Sequence, residues 1–239
     1  MPRIGGLKLH HLIKDDLSVM GIKLGRDRFF DLLREEHLLV ERRRSRTRTT
    51  NSFHRFRIWP NRVKGLAVTR PDQVWVSDIT YIRRRGGFAY LFLVTDVYSR
   101  KIVGWTLGET LETRWSLDAL AMAIKGAGAP LAGLIHHFDR GVQYCSGGYV
   151  NGLEIEGIEI SMAEAGNPYE NAIAERVNGI LKDEFLLNRT MEDMATARRA
   201  VSQAVEAYNT LRPHRSLGLM KPEEKYREVQ TPEPRQDAG

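Results

Sequence analysis

Between residues 7 and 20 the apolar residues Leu9, Leu12, Ile13, Leu17 and Met20 recur at helical spacing. A turn over residues 21–25, marked by Gly21 and Gly25, leads into a second predicted helix over residues 26–37 with Phe29, Phe30, Leu32 and Leu33 on its apolar side. Two short helices about a glycine turn fit a plain helical hairpin and a helix-turn-helix equally well. In the second case Arg26 and Arg28, at the start of the second helix, face DNA. The polar, basic stretch that follows to residue 72, carrying Pro60 and Pro71, reads as a linker. Beyond it the pattern changes period. Strands are predicted over residues 73–82, 88–95 and 101–107, then a helix over 113–126, a strand over 131–138, a short helix over 146–154, a short strand over 158–162 and a long helix over 168–187. A further helix over 191–211 follows, and residues 231–239 read as a disordered tail. The division is therefore residues 1–40, 41–72, 73–190, 191–230 and 231–239. Three leading strands followed by helix–strand alternation is the order of an α/β, ribonuclease-H-like core preceded by a small helical, basic region.

Three acids stand out within this pattern. Val74-Trp75-Val76-Ser77-Asp78-Ile79-Thr80-Tyr81-Ile82 alternates so that Asp78 shares a face with Val74, Val76, Thr80 and Ile82. A carboxylate there is costly unless paired, hydrogen-bonded or metal-bound, although an Asp at a water-facing sheet rim would look the same. Leu134-Ile135-His136-His137-Phe138 is an apolar run that ends at Asp139-Arg140-Gly141, where Asp139 suits a strand-end ligand or an Asx-type turn. Asn167-Pro168-Tyr169-Glu170 carries the N-cap, first-turn proline and capping acid of a helix start. Along that helix Ile173, Val177, Ile180 and Leu181 form the apolar stripe, and Asn171, Glu175, Asn178 and Lys182 lie opposite, as on an ordinary solvated face. Taken singly, each acid has a plain structural explanation.

Together they do not. The stretches Trp75-Val76-Ser77-Asp78-Ile79-Thr80-Tyr81, Asp96-Val97-Tyr98-Ser99-Arg100-Lys101-Ile102-Val103-Gly104-Trp105, His136-His137-Phe138-Asp139-Arg140-Gly141-Val142-Gln143-Tyr144 and Asn171-Ala172-Ile173-Ala174-Glu175-Arg176-Val177-Asn178-Gly179-Ile180-Leu181-Lys182 resemble the DDE catalytic core of bacterial insertion-sequence transposases. More narrowly, the chain resembles the second-frame product of insertion-sequence family three, a relative of retroviral integrases, and Tyr208-Asn209-Thr210-Leu211-Arg212-Pro213-His214-Arg215-Ser216-Leu217 matches that family's ending. One residue departs from the pattern: Phe138 stands where members carry a small polar residue.

The resemblance implies that Asp78, Asp139 and Glu175 hold two Mg²⁺ ions, with Mn²⁺ as a substitute. Asp78 bridges both ions, and each of the other acids completes one site. Hard divalent cations require oxygen ligands, which explains carboxylates rather than His or Cys. It also implies nicking at the element ends and attack of the freed 3′-OH on a phosphodiester. Lys182 would position the terminal DNA, with Asn171 and Asn178 in support, while Arg140 holds a phosphate or fixes its turn. The implied partners are the terminal inverted repeats, target DNA, further copies of the chain in a synaptic complex, and an upstream-frame helix-turn-helix product. Two rivals share much of the pattern: a ribonuclease-H-like nuclease without strand transfer, and a catalytically dead DNA-binding relic.

Charge sharpens the DNA reading. Residues 1–70 hold seventeen Lys and Arg against seven Asp and Glu, although the whole chain is only +6. The densest part contains Arg42, Arg43, Arg44, Arg46, Arg48, Arg55 and Arg57, interleaved with Phe53, Phe56 and Trp59. Arginines there suit phosphate contact, and the aromatics suit base stacking or packing on the core. A single cysteine, Cys145, rules out an intrachain disulfide framework. With no apolar run long enough to span a membrane and no apolar signal segment, the expected location is the cytoplasm, on the nucleoid. His136, His137 and Cys145 lack the partner spacing of a zinc site, so the histidines are assigned to packing or phosphate contact.

Overall fold

Alternation along the first strand decides what each face of the sheet meets. The computed structural model describes residues 1–40, 57–127, 131–164 and 171–228. The core begins with β1 (Val74–Arg84), β2 (Gly87–Asp96) and β3 (Ile102–Gly108), paired antiparallel in sequence order. Gly86 (φ 76°) and Gly87 (φ 148°) take the backbone conformations that the first hairpin turn demands. Then come α3 (Thr113–Gly126), β4 (Ile135–Phe138), α4 (Val142–Cys145), α5 (Gly147–Ile155), β5 (Glu159–Met162) and α6 (Ala172–Glu184). Strands β4 and β5 add in parallel beside β1, giving the order β3-β2-β1-β4-β5. This is the predicted α/β, ribonuclease-H-like arrangement.

Register assigns the faces. Opposed pairs Ser77 and Val94, and Ile79 and Phe92, lie on the side where Trp75, Phe92, Val94 and Phe138 pack with Ala119, Leu120 and Ala123 of α3 and Tyr149 and Leu153 of α5. The alternate pairs Asp78 and Leu93, Thr80 and Leu91, and Ile82 and Ala89 lie on the other side. There Ile82, Leu91 and Leu93 pack with Val177, Ile180 and Leu181 of α6 and with Val201 and Val205 of α7 (Met194–Thr210). Asp78 is thus turned toward α6, the helix that carries Glu175. Close approach of α3 to the sheet depends on Gly104: a Cβ there would sit 2.1 Å from the Ala119 carbonyl oxygen.

Several boundaries differ from those expected, each for a local reason. The strand predicted from residue 131 starts at Ile135, because Gly133 is left-handed and the Leu134 N–H returns to the Leu131 carbonyl at 2.9 Å. The expected helix start at Asn167 and Pro168 lies outside the described residues; within them α6 begins at Ala172. It stops at Glu184 rather than 187, since Leu186 is left-handed (φ 62°) and the Leu187 N–H reaches back to the Leu181 carbonyl. Helix α7 starts at Met194, capped by Asp193, whose side chain accepts from the Thr196 N–H. The turn Arg215–Leu217 and α8 (Pro222–Glu228) follow it; neither was anticipated as a helix.

Described segments on either side are tied to this core. Helices α1 (Gly6–Val19) and α2 (Arg26–Glu35) form the predicted hairpin, closed by a His10 Nε2 contact to the Leu24 carbonyl at 2.9 Å. The buried residue of α1 is charged: Lys8 Nζ lies 2.6 Å from Glu184 at the end of α6. Glu184 is also gripped by Arg212, whose Nε and Nη2 each donate at 2.8 Å. Residues 59–64 run against β5, where the Arg62 N–H donates to Ser161 Oγ and Arg62 pairs with Glu159. At the opposite edge, Asn209 donates to the Ile102 carbonyl and accepts from the Ile102 N–H, continuing the β3 ladder with a side chain. Among the described residues no helix is long and apolar enough to cross a membrane.

Candidate active site

Asp78 leaves β1 toward α6, half-buried at the sheet surface. Its Oδ1 accepts the Ile79 N–H at 2.8 Å and its Oδ2 accepts Asn178 Nδ2 at 2.6 Å. Burial raises its carboxyl to about 7, and the negative charge of Asp139 adds to the rise; the Ile79 and Asn178 bonds oppose it, and Glu175 contributes a smaller push upward. Those two influences place both other acids within electrostatic reach of Asp78. Lys182 answers from the same helix: burial lowers its ammonium, and the Asp78 carboxylate is the first influence holding it up.

Asp139 follows directly on β4, and its Oδ1 accepts the Gly141 N–H at 2.9 Å, the expected Asx-type turn. Gly141 suits this turn because a Cβ would come within 3.0 Å of that oxygen. Arg140 Nε donates to the Ala163 carbonyl at 3.3 Å, which braces the turn against the end of β5. Phe138 is fully buried on the opposite side of β4, stacked on Tyr144 with ring centroids 5.3 Å apart and edge-on to Tyr149. Its ring fills the core beneath the turn.

Glu175 sits in the first turn of α6, exposed, with its N–H on the Asn171 carbonyl. Asn171 and Asn178 flank it one turn on either side, and here the expected solvated face fails. They are 7% and 6% exposed, Asn171 Nδ2 donating to the Ser77 carbonyl at 3.1 Å and Asn178 to Asp78. These two asparagines are turned inward onto β1, where the Ser77 carbonyl and the Asp78 carboxylate receive them. These bonds fix the helix carrying Glu175 against the strand carrying Asp78.

The remaining predicted residues stand apart. Arg26 pairs with Asp27 and Arg28 with Glu35 on the exposed side of α2. Arg57 lies over the Trp59 ring at 5.2 Å, and Trp59 packs on the core rather than standing free to stack on a base. Arg42, Arg43, Arg44, Arg46, Arg48 and Arg55, with Phe53 and Phe56, lie outside the described residues, as does the tail over 231–239. His136 and His137 are fully buried. The Nε2 of His136 meets Ser77 Oγ and Tyr149 OH at 3.0 Å each, and His137 meets Ser161 Oγ at 2.9 Å, so packing and not phosphate contact accounts for them. Sequence reasoning missed Ser77, whose carbonyl anchors α6, and the pair Lys8 and Glu184. A lysine on a helix of mixed composition gives no signal that it is buried.

Among the described residues no three His, Cys, Asp or Glu side chains are gathered tightly enough to hold a metal ion by themselves. The donor set nevertheless suits a hard cation. It offers carboxylate oxygens, an excess of negative charge around Asp78, and buried amide oxygens without a partner at Asn171 and Asn178.

Models described as "Integrase core domain" match residues 68–168 and residues 156–222. The chain is similar to the IS600 uncharacterized 31 kDa protein of Shigella sonnei, 37% identical over 222 residues, covering 91% of this chain and 81% of that protein. It is also similar to the IS904 transposase of Lactococcus lactis (38% identity, covering 66% and 63%) and to transposase InsF of IS3A from Escherichia coli K12 (35%, covering 64% and 54%). The chain thus spans little more than half the length of some of these relatives. Among solved structures it is similar to a chain of the simian T-cell lymphotropic virus intasome (TM-score 0.58, 20% identity, covering 98% and 77%). It is likewise similar to the HTLV-2 integrase catalytic core determined with magnesium (TM-score 0.51, 19% identity, covering 66% and 97%). At those identities the likeness is one of fold. The relationship to the insertion-element proteins goes further, and with the three acids on their expected elements it identifies the chain as a member of the DDE transposases of insertion-sequence family three.

Proposed function

We propose that this chain is the catalytic unit of a DNA transposase, which nicks at the ends of an insertion sequence and joins the freed 3′-OH to a new phosphodiester. The observation that carries the reading is the setting of Asp78 on the central strand β1, where its Oδ2 accepts Asn178 of α6 at 2.6 Å and Asp139 after β4 and Glu175 on α6 lie within electrostatic reach. Phosphodiester exchange needs a nucleophile brought in line with an anion and a stabilised leaving oxygen. Two divalent cations, when bound by Asp78, Asp139 and Glu175, supply the Lewis acidity for both.

The chain's own residues do the positioning. Asn178 and the Ile79 N–H fix the Asp78 carboxylate, the Gly141 N–H aims Asp139, and the bond from Asn171 to the Ser77 carbonyl holds the start of α6, the helix of Glu175, against β1. Lys182, two turns beyond Glu175 and held partly buried near Asp78, offers a cation to a phosphate entering the site. The same site serves water in nicking and the 3′-OH in joining, so no covalent enzyme intermediate is required. The DNA partners are the terminal repeats and the target. Pairing two ends calls for at least two copies of the chain, and an upstream-frame product supplies further end recognition.

Labelled DNA carrying the flanking element ends, incubated with Mg²⁺ or Mn²⁺ and with the chain alone or fused to its upstream product, tests this. Joined strands that Asp78→Asn abolishes are the expected result. Cleavage without joining would assign a nuclease, and DNA binding without any metal-dependent product would assign a relic.

A further inference from the structure

Asn178 carries an atom that the closed protein leaves unused. Its Nδ2 is committed to Asp78 Oδ2 at 2.6 Å, while its Oδ1 is buried with no hydrogen-bond partner. The two ends belong to one rigid amide, so the orphan oxygen lies within an amide's width of the Asp78 carboxylate. Asn171 repeats the arrangement, its Nδ2 on the Ser77 carbonyl and its Oδ1 buried and unpartnered. Asn171 and Asn178 stand one turn before and one turn after Glu175 in the sequence of α6 and its N-cap. Buried carbonyl oxygens ordinarily find a donor, and the Asn178 oxygen lies beside the Asp78 carboxylate without one.

We propose that Asn178 belongs to the metal site: its carbonyl oxygen accepts a hydrogen bond from a water on a divalent cation held by Asp78. A hard ion such as Mg²⁺ keeps several of its waters, and each water proton needs an acceptor. The amide bond to Asp78 orients Oδ1 before the ion arrives. Partners of this kind, once removed, cost metal sites roughly 10- to 100-fold in affinity.

The inference rests on the metal-dependent reading above, and its test reads metal binding, not joining. Mg²⁺ is titrated calorimetrically into the full chain and into Asn178→Leu and Asn178→Asp. The side-chain amide of Asn178 is followed by NMR as Mg²⁺ or Mn²⁺ is added. The expected results are roughly tenfold weaker Mg²⁺ binding in Asn178→Leu, binding retained in Asn178→Asp, and early broadening of the Asn178 amide by Mn²⁺. Equal losses in both variants would mean that Asn178 acts only by holding Asp78, and would overturn the proposal. So would unchanged binding in Asn178→Leu, an amide that neither metal disturbs, or a parent chain that binds neither metal. If the leucine variant does not fold, the Mn²⁺ response of the parent decides. Asn178-dependent metal binding without joined DNA would overturn the transposase reading and leave this one standing.

Discussion

Replacing Glu184 by glutamine should destabilise this protein strongly. Glu184 takes two short bonds from Arg212 and one from Lys8, and the three side chains are only 15%, 4% and 11% exposed. Removing the carboxylate strands two buried cations, and breaking a buried pair in this way costs about 3–5 kcal/mol. Against a total stability on the order of 5–15 kcal/mol, that is a large share. The partners are not equivalent. Burial is the largest influence on Lys8 and lowers its ammonium despite the Glu184 bond, whereas Glu184, also opposed by burial, is nevertheless held below 4.5 by Arg212 first and Lys8 second. The benefit therefore lies with Arg212. Lys8→Met, which keeps volume and the Arg212 bonds, should cost under about 1 kcal/mol, and Arg212→Met about 3 kcal/mol. Because the folded carboxyl is depressed, its stabilisation is complete above about pH 4.5 and is lost as pH falls through the lower folded value. Urea unfolding of the three variants at pH 7 and at lower pH checks both the ranking and the narrowing of the Glu184→Gln gap on acidification. A Glu184→Gln variant within about 1 kcal/mol of the parent at pH 7, or a gap that widens in acid, would refute the reasoning.

Other consequences follow from the same packing. Gly104→Ala forces a methyl to within 2.1 Å of the Ala119 carbonyl and should cost about 3 kcal/mol or more, seen as a lowered unfolding midpoint. Phe138→Ser, which restores the small polar residue usual in the family, should empty the space against Tyr144 and Tyr149 and cost about 3–5 kcal/mol in denaturant unfolding, with no gain in joining activity. Asp96 is fully buried, and burial raises its carboxyl to about 6 from 3.8 despite bonds from Ser99 and the Asp72 N–H. The folded state therefore binds the extra proton, and the stability that Asp96 contributes should fall by about 3 kcal/mol as pH rises from about 4 to about 6. Carbon-13 NMR of the Asp96 carboxyl should show a midpoint near 6.

What the sequence revealed, and what it hid, divides along physical lines. The strand bearing Asp78 was legible because β-branched and aromatic residues dominate residues 74–82, and the face that alternation gave to Asp78 is the face it takes. The acids themselves were legible through their sequence contexts. Burial of polar residues was not. Helical periodicity separates apolar from polar but assumes that polar means wet, which misplaced Asn171 and Asn178 and gave no hint of Lys8. Helix α8 has only seven residues, too few for periodicity to register. It is held instead by Tyr226, whose hydroxyl donates to Asp72 at 2.6 Å across 154 residues of chain. The family's C-terminal motif proved to be structural for a similar reason. Tyr208 donates to the Arg100 carbonyl, Asn209 extends β3, and Arg212 clamps Glu184, all of them long-range bonds that local pattern cannot express.

The central claim is that Glu175 on α6 completes a strand-joining site with Asp78 and Asp139. The measurement that tests it most directly supplies a pre-nicked element end bearing a free 3′-OH, with target DNA and Mg²⁺, to the parent chain fused to its upstream product and to the same fusion carrying Glu175→Gln. The account predicts joined product from the parent and loss of joining in the variant by roughly 100-fold or more, with DNA binding retained. Joining that persists in Glu175→Gln, or a parent that never joins a free 3′-OH, would contradict it.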